Sequence, residues 1–196
     1  NNVLLGDGVT LYLGGGSSGS ITVASITGTN GGAASNVVIN TTGAVSITGA
    51  IGTDIGTVTI TNSGGTTFGG TVTASTVTLT NTTGTIAFND VLTINTLNTA
   101  TQAYNVAVNT SGSNISNAVT FSNTGTVALG SSVGIQTYAG GITATAPSAS
   151  TLKGTINTTN APMSFGPVTL GANTTLNTNA ASNTATISLG AVNGSS

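Results

Sequence analysis

The sequence predicts an all-β chain wound into a parallel β-solenoid, with about 20 residues to each three-strand coil. Three observations carry that expectation. The β-branched residues fall in short alternating runs separated by Gly and Asn. Segments 56–68, 75–88 and 117–129 align as one unit: an alternating strand, an Asn/Gly turn, then a second alternating strand. Apolar positions also recur along the chain at a nearly constant step.

The steps define three tracks. The residue closing the first strand gives Ile39, Ile60, Leu79, Phe121 and Ile142, at intervals of 21, 19, 42 and 21, where 42 is two coils. The second strand gives Ile47, Phe68, Phe88, Val108 and Leu129, at 21, 20, 20 and 21. A looser third track runs through Val72, Leu92, Ile115 and Ile135, at 20, 23 and 20. Three strands per period describe a coil of roughly triangular section, each strand pairing with its equivalent about 4.8 Å away. Alternation puts Val58 and Ile60 under Val77 and Leu79, with Thr57, Thr59, Thr61, Thr76, Thr78 and Thr80 facing outward. Gly and Asn between strands suit the corners, and Asn62 and Asn81 are placed to stack as an amide ladder.

The first strands expected are at 9–11 and 21–23. Residues 95–105 read as an inserted loop, and 146–149 and 160–162, both containing Pro, as interruptions. Strands resume at 168–170 and 187–189, again 19 apart. The expectation is one domain over 1–196, with the best repeats at 36–145, looser coils at 1–35 and 146–196, and nine or ten coils making a rod of about 45 Å. The competing architecture is a β-sandwich of short strands, which does not require three tracks to share a period near 20.

Composition narrows the function. Charged residues make up 2% of the chain, namely Asp7, Asp54, Asp90 and Lys153, against about 25% in an ordinary globular protein. Glu, Arg, His, Cys and Trp are absent. Hydrophobic residues at 37% oppose disorder, and residues of low helix propensity with no helical period oppose helix. One Lys cannot neutralise a run of phosphates, which argues against nucleic acid as a partner. No apolar run approaches the roughly 18 residues of a membrane span. The opening Asn1-Asn2-Val3-Leu4-Leu5 lacks the basic start of a signal peptide, so a mature product or an excised segment is expected. Without Cys there are no disulfides or thiolate metal sites. So little charge points to a secreted, extracellular or cell-surface location.

The units beginning Val58-Thr-Ile-Thr-Asn-Ser-Gly-Gly and Val77-Thr-Leu-Thr-Asn-Thr-Thr-Gly resemble the β-strand repeats of filamentous-haemagglutinin-type exoproteins and autotransporter passengers. The resemblance covers residues 36–145 well and the rest loosely. It implies a right-handed parallel β-helix displayed or released by bacteria as an adhesin or matrix fibre. The chain shows neither the N-terminal secretion domain nor the C-terminal barrel of that family, so it is expected to be a central piece or a smaller relative. The family's repeats carry no functional residues to transfer.

Catalysis has thin support. Glycoside hydrolysis usually needs two carboxyl groups about 5–9.5 Å apart. Asp54 and Asp90 are 36 residues apart, nearly two coils, which would place them on one edge about 10 Å apart; turn formation is the simpler reading for both and for Asp7. Lys153 reads as a solvated lysine. Ser lacks a His base, and the glycine runs at 14–16 and 31–32 lack the Lys-Ser/Thr of a phosphate loop. No Asp cluster of the calcium type is present. Outward Thr rows, broken by Val38 and Ser122, raise ice binding only weakly against ordinary strand preference. Sequons at Asn40, Asn81, Asn109, Asn114, Asn157, Asn173 and Asn193 are expected by chance in this composition. The sequence therefore predicts no catalytic, cofactor-binding or metal residue and no cofactor. It predicts a non-enzymatic stalk, adhesin segment or matrix fibre, with a self-polymerising filament subunit and, remotely, a polysaccharide-active enzyme as the alternatives. The expected partners are other copies of the chain or neighbouring repeats, and host or matrix glycans.

Overall fold

Each coil returns the chain to the position it occupied one turn earlier, so nearly every strand finds its partner about 21 residues away. A computed structural model describes residues 1–179 and 185–194. Among them there is no helix, and every strand pairing is parallel, giving a solenoid of nine coils. Two face-to-face antiparallel layers are thereby excluded: Val58 pairs with Val77 and Ile60 with Leu79 in register.

Three faces repeat in order. The first begins with Asn2–Leu5, Ser25–Gly28 and Ile51–Gly52. The second begins with Thr10–Ser17, Ser35–Thr41 and Ile55–Asn62, and the third with Ile21–Val23, Val45–Ile47 and Thr66–Phe68. Period-2 alternation turns Val37, Ile39, Val58, Ile60, Val77 and Leu79 inward, all fully buried. On the third face Ile47, Phe68, Phe88, Val108, Leu129 and Leu152 form one continuous buried column. Within it the rings of Phe68 and Phe88 stack with centroids 4.8 Å apart and planes 7° from parallel. Stacking is forced there, because identical positions in successive coils are separated by one strand spacing.

The predicted tracks fare unequally. The third-face track is reproduced residue for residue. The second-face track holds through Ile39, Ile60, Leu79 and Phe121, with Thr99 as the coil hidden in the step of 42. Its last member is corrected: Ile142 pairs with Val119, and Ala144 follows Phe121. On the first face Val72 and Leu92 pair, but Ile115 follows Ile94, and Ile135 is exposed. Gln136 and Tyr138 turn inward instead. The Gln136 amide donates to the carbonyls of Val108 (2.8 Å) and Thr110 (2.7 Å) and accepts from the Tyr138 hydroxyl (3.1 Å). Val108 O also accepts from the Gly130 amide (3.0 Å), so the Gln136 amide matters most at Thr110 O, where a buried acceptor left without a donor would cost about 1–3 kcal/mol.

Other expectations are adjusted as well. The stack begins at Asn2–Leu5, ahead of the first strand foreseen. Residues 95–99 belong to a strand, Leu92–Thr99, that bends across a corner with Leu97 inside, which leaves 100–104 as the loop. Its Tyr104 is fully buried and plugs the corner, donating to the Leu79 carbonyl and accepting from the Ala100 amide, both at 2.9 Å. The Pro-containing segments sit at corners and do not break the stack, since Ile142–Ala144 pairs with Met163–Phe165 across them. The step of 19 between 168–170 and 187–189 is coincidental, because Val168 pairs with Val192 on the third face and Ile187 with Met163 on the second.

The corner joining the second and third faces is built from hydroxyls. Thr41 Oγ1 accepts from the Gly43 amide (3.0 Å) and donates to Gly19 O (2.8 Å), and Thr82 Oγ1 donates to Ser63 O (2.7 Å). Ser63 Oγ and Thr82 Oγ1 lie 2.8 Å apart in the same ladder. The amide ladder foreseen at Asn62 and Asn81 is replaced by this one, one residue further on. A side-chain amide pair forms elsewhere, from Asn109 Nδ2 to Asn89 Oδ1 at 3.1 Å. Two residues after each corner hydroxyl comes a glycine, and the corners stack so closely that a Cβ on Gly64 would lie 2.5 Å from Thr42 O.

Truncating Phe88 to Ala should cost about 3–5 kcal/mol, whereas Thr59→Ala, on the outer surface, should cost less than about 0.5 kcal/mol. Gly64→Ala should also lower the urea midpoint, since its methyl would meet backbone. Equal midpoints for Phe88→Ala and Thr59→Ala would contradict the stacked core.

Candidate functional site

The length of the corner between the first and second faces varies along the rod. It takes the segment from Gly28 to Ser35 in the second coil and the segment from Gly52 to Ile55 in the third. In the fourth and fifth coils the strands Val72–Leu79 and Leu92–Thr99 turn through it without a break. From the sixth coil it lengthens again, between Ile115 and Val119. The wall therefore steps inward at the middle of the rod, leaving a recess of about 320 Å³. Its floor holds Ala74 and Ile94, one margin holds Asp54 and Ile55, and its polar lining includes Ser75, Asn95 and Ser116.

Asp54 owes its position to an unusual turn. Thr53 and Asp54 both adopt the left-handed backbone, with φ of 51° and 57°. Asp accepts that region more readily than most residues, while a β-branched Thr enters it only when its surroundings impose it. Here the second coil imposes it: Gly28 N donates to Thr53 O at 2.7 Å, and Ser35 N donates to Asp54 O at 3.0 Å. The carboxylate is half-buried at the recess margin. Its Oδ2 is shielded from solvent and has no hydrogen-bond partner within the protein.

The other charged residues lie apart from it. Asp90 sits between Thr85–Phe88 and Leu92–Thr99, at the corner joining the third and first faces, where its Oδ1 accepts from the Val91 amide at 2.7 Å. Asp54 and Asp90 thus occupy different edges, which corrects the expectation that a two-coil spacing would align them. The separation of 36 residues falls short of two coils by about one face. Asp7 does share the Asp54 corner, two coils away, with the Asp7 carboxylate lying beside Gly32 in the coil between. Lys153 is half-buried at a bulge, with its stem running over Gly171. No group of three or more acidic residues, His or Cys gathers among the described residues. A lone carboxylate without a second acid or base cannot perform paired acid–base hydrolysis.

Some outward side chains on the second face bond one another across coils. Asn98 Nδ2 donates to Thr78 Oγ1 (3.4 Å), and Asn117 Nδ2 donates to Thr96 Oγ1 (2.9 Å). The row through Thr59, Thr78, Thr120 and Thr143 is interrupted by Asn98 and preceded by Tyr12 and Val38, so it does not form the uniform hydroxyl lattice that ice would demand. Of the sequon asparagines, Asn81, Asn109, Asn114, Asn173 and Asn193 are exposed, and Asn40 and Asn157 are half-buried; Ser195, which completes the last sequon, lies outside the described residues.

The recess was not legible in the sequence, because it arises from differences in corner length between coils. The one available signal was the position of Asp54 in a short Gly-Thr-Asp-Ile-Gly turn. No family model matches the chain, and no match to a curated protein or to a solved structure was found.

Tyr104 and Tyr138 are the titratable groups that the interior perturbs. Burial raises both hydroxyls above the usual tyrosine range, offset in Tyr104 by hydrogen bonds from Ala100 and Thr99. The folded chain therefore keeps protons that the unfolded chain releases above about pH 10. Stability should hold below that pH and decline as pH rises past it. Urea unfolding across that range should show the decline, and Tyr138→Phe should start less stable but decline less steeply. An unchanged slope in that variant would remove Tyr138 from the account.

Proposed function

We propose that the chain is a non-enzymatic structural protein of the cell surface or extracellular matrix, serving as a rigid stalk or fibre segment of an adhesin. The observation carrying this reading is the unbroken stack itself. Nine coils at about 4.8 Å make a rod roughly 40 Å long, held by continuous aliphatic and aromatic columns that need no charges. Solenoid stability is a sum of nearest-neighbour terms, so such a rod extends without a change of principle. The β-strand repeats quoted above, with their likeness to exoprotein and passenger repeats, favour display or release outside the cell.

A second reading is a self-polymerising filament subunit, since a chain with 2% charged residues has little of the usual protection against edge-to-edge pairing. Ile187, Leu189 and Val192 occupy inward-facing register positions in the last coil, yet they are 43%, 41% and 48% exposed. A further coil, whether the next of a longer chain or the first of another copy, would cover them and pair with the open strand edges.

Antibody raised against the chain should label intact, unpermeabilised cells or their shed matrix; labelling only after lysis would refute the surface reading. In negative stain, isolated short rods of the purified chain support the stalk, and long filaments of uniform width support the polymer. Turnover of a polysaccharide that disappears in Asp54→Asn would overturn the non-enzymatic assignment.

A further inference from the structure

We propose that Asn30 is a self-modifying site, whose side-chain amide is converted to a carboxylate through attack by the Gly31 backbone nitrogen. The same chemistry is open in principle to three residue pairs of this chain, and the fold separates them.

A glycine after Asn or Asp leaves the attacking nitrogen unhindered, because no Cβ shields it. Such pairs occur at Asp7-Gly8, Asn30-Gly31 and Asn193-Gly194. Ring closure needs a free nitrogen, rotation of the backbone between the two residues, and access for water. Gly8 N is engaged, donating to Ala33 O at 2.6 Å. Asn193 and Gly194 lie in the strand Val192–Gly194, in register with Thr169 and Leu170, and rotation there would break the pairing.

Asn30 and Gly31 meet all three conditions. Both are exposed in the six-residue connection 29–34, outside any strand. Among the described residues neither donates nor accepts a backbone hydrogen bond. Gly31 has a φ of 103°, and no atom lies within 4 Å of where its side chain would stand, so water reaches the reacting atoms. The segment is anchored on either side of this tip. Thr29 Oγ1 donates to Leu5 O at 2.8 Å, and Ser35 N donates to Asp54 O at 3.0 Å. Rotation at the tip therefore leaves the inward columns where they are.

The step needs no partner but water. The Gly31 nitrogen, its proton taken by base, bonds to Asn30 Cγ; the Cγ–Nδ2 bond breaks and Nδ2 leaves as ammonia. Water then opens the succinimide ring. Attack at Cγ gives aspartate, and attack at the Asn30 main-chain carbonyl gives isoaspartate, with the backbone rerouted through Cβ and Cγ. Either product adds one carboxylate and takes the net charge from −2 to −3. It does so at the corner that holds Asp7, whose own carboxylate lies beside Gly32. The extra backbone carbon of isoaspartate falls at an edge where connection length already differs between coils. The rod thus gains charge with age at one defined place.

The test is incubation of the purified chain in mildly alkaline buffer, folded and in urea, followed by peptic digestion, mass spectrometry and isoaspartate-specific methylation. In the folded chain the amide-to-acid mass change should accumulate at Asn30 at least about tenfold faster than at Asn193, with no isoaspartate at position 7 in that time. Urea should bring the two Asn-Gly pairs to similar rates, since the difference between them lies in the fold. On isoelectric focusing a more acidic band should grow in with time. Asn30→Gln should lack that band, because glutamine would have to close a larger ring, and Asn193→Gln should keep it. The proposal is overturned if Asn30 stays intact in the folded chain, if Asn193 or Asp7 keeps pace with it, if the gap persists in urea, or if the band survives Asn30→Gln. None of these readouts involves surface labelling or rod images, so the stalk reading stands or falls separately.

Discussion

Registered stacking is the constraint on which everything else in this chain depends. In a parallel coil each residue is paired with its equivalent one turn away, so any choice made at one position is repeated or answered about 4.8 Å above and below. An apolar column is favoured because each member covers the next. A column of like charges would place repulsion at every step, and a chain with three carboxylates and one ammonium avoids it. Two polar sets in the interior arrive with partners already stacked, Ser63 with Thr82, and Gln136 with Tyr138 and two corner carbonyls, whereas Ser150 Oγ is buried without one. The hydroxyl ladder between the second and third faces is the polar counterpart of the column through Phe68 and Phe88.

Much of this was visible in the order of the residues. The period near 20 and the inward alternation of Val58, Ile60, Val77 and Leu79 follow from spacing alone, as does the whole column from Ile47 to Leu129. Failures came where an apolar residue was taken to be an inward one. Ile135 lies outside because Gln136 takes the inward position, where its amide donates to the corner carbonyls at 108 and 110. Ile142 misaligns because the step from the sixth to the seventh coil is longer at that strand. A step of 19 between two apolar pairs is not evidence of a coil unless the faces agree, as 168–170 and 187–189 demonstrate.

The corners were harder to read than the strands. Glycine and Asn suggested amide ladders, whereas the residues that close the second-to-third corner are Thr41, Ser63 and Thr82, each two positions before a glycine. The pattern hydroxyl-x-Gly after the second-face strands of the second, third and fourth coils was present in the sequence, and it signals a side chain standing in for a backbone turn acceptor. The recess had no such signal. Its existence depends on comparing how many residues each coil spends at one corner, a quantity that becomes meaningful only once the register of every coil is known.

That same corner has a broader implication. Between the first and second faces the connection is absent in the fourth and fifth coils, where one strand runs through, and six residues long at 29–34 in the second, yet the columns on either side stay aligned. Length along this single edge is thus uncoupled from the lattice that supports it. Foreign peptides spliced at that edge would be displayed from a scaffold that does not register their presence, and natural variants of the chain are free to diversify there while their interiors stay fixed.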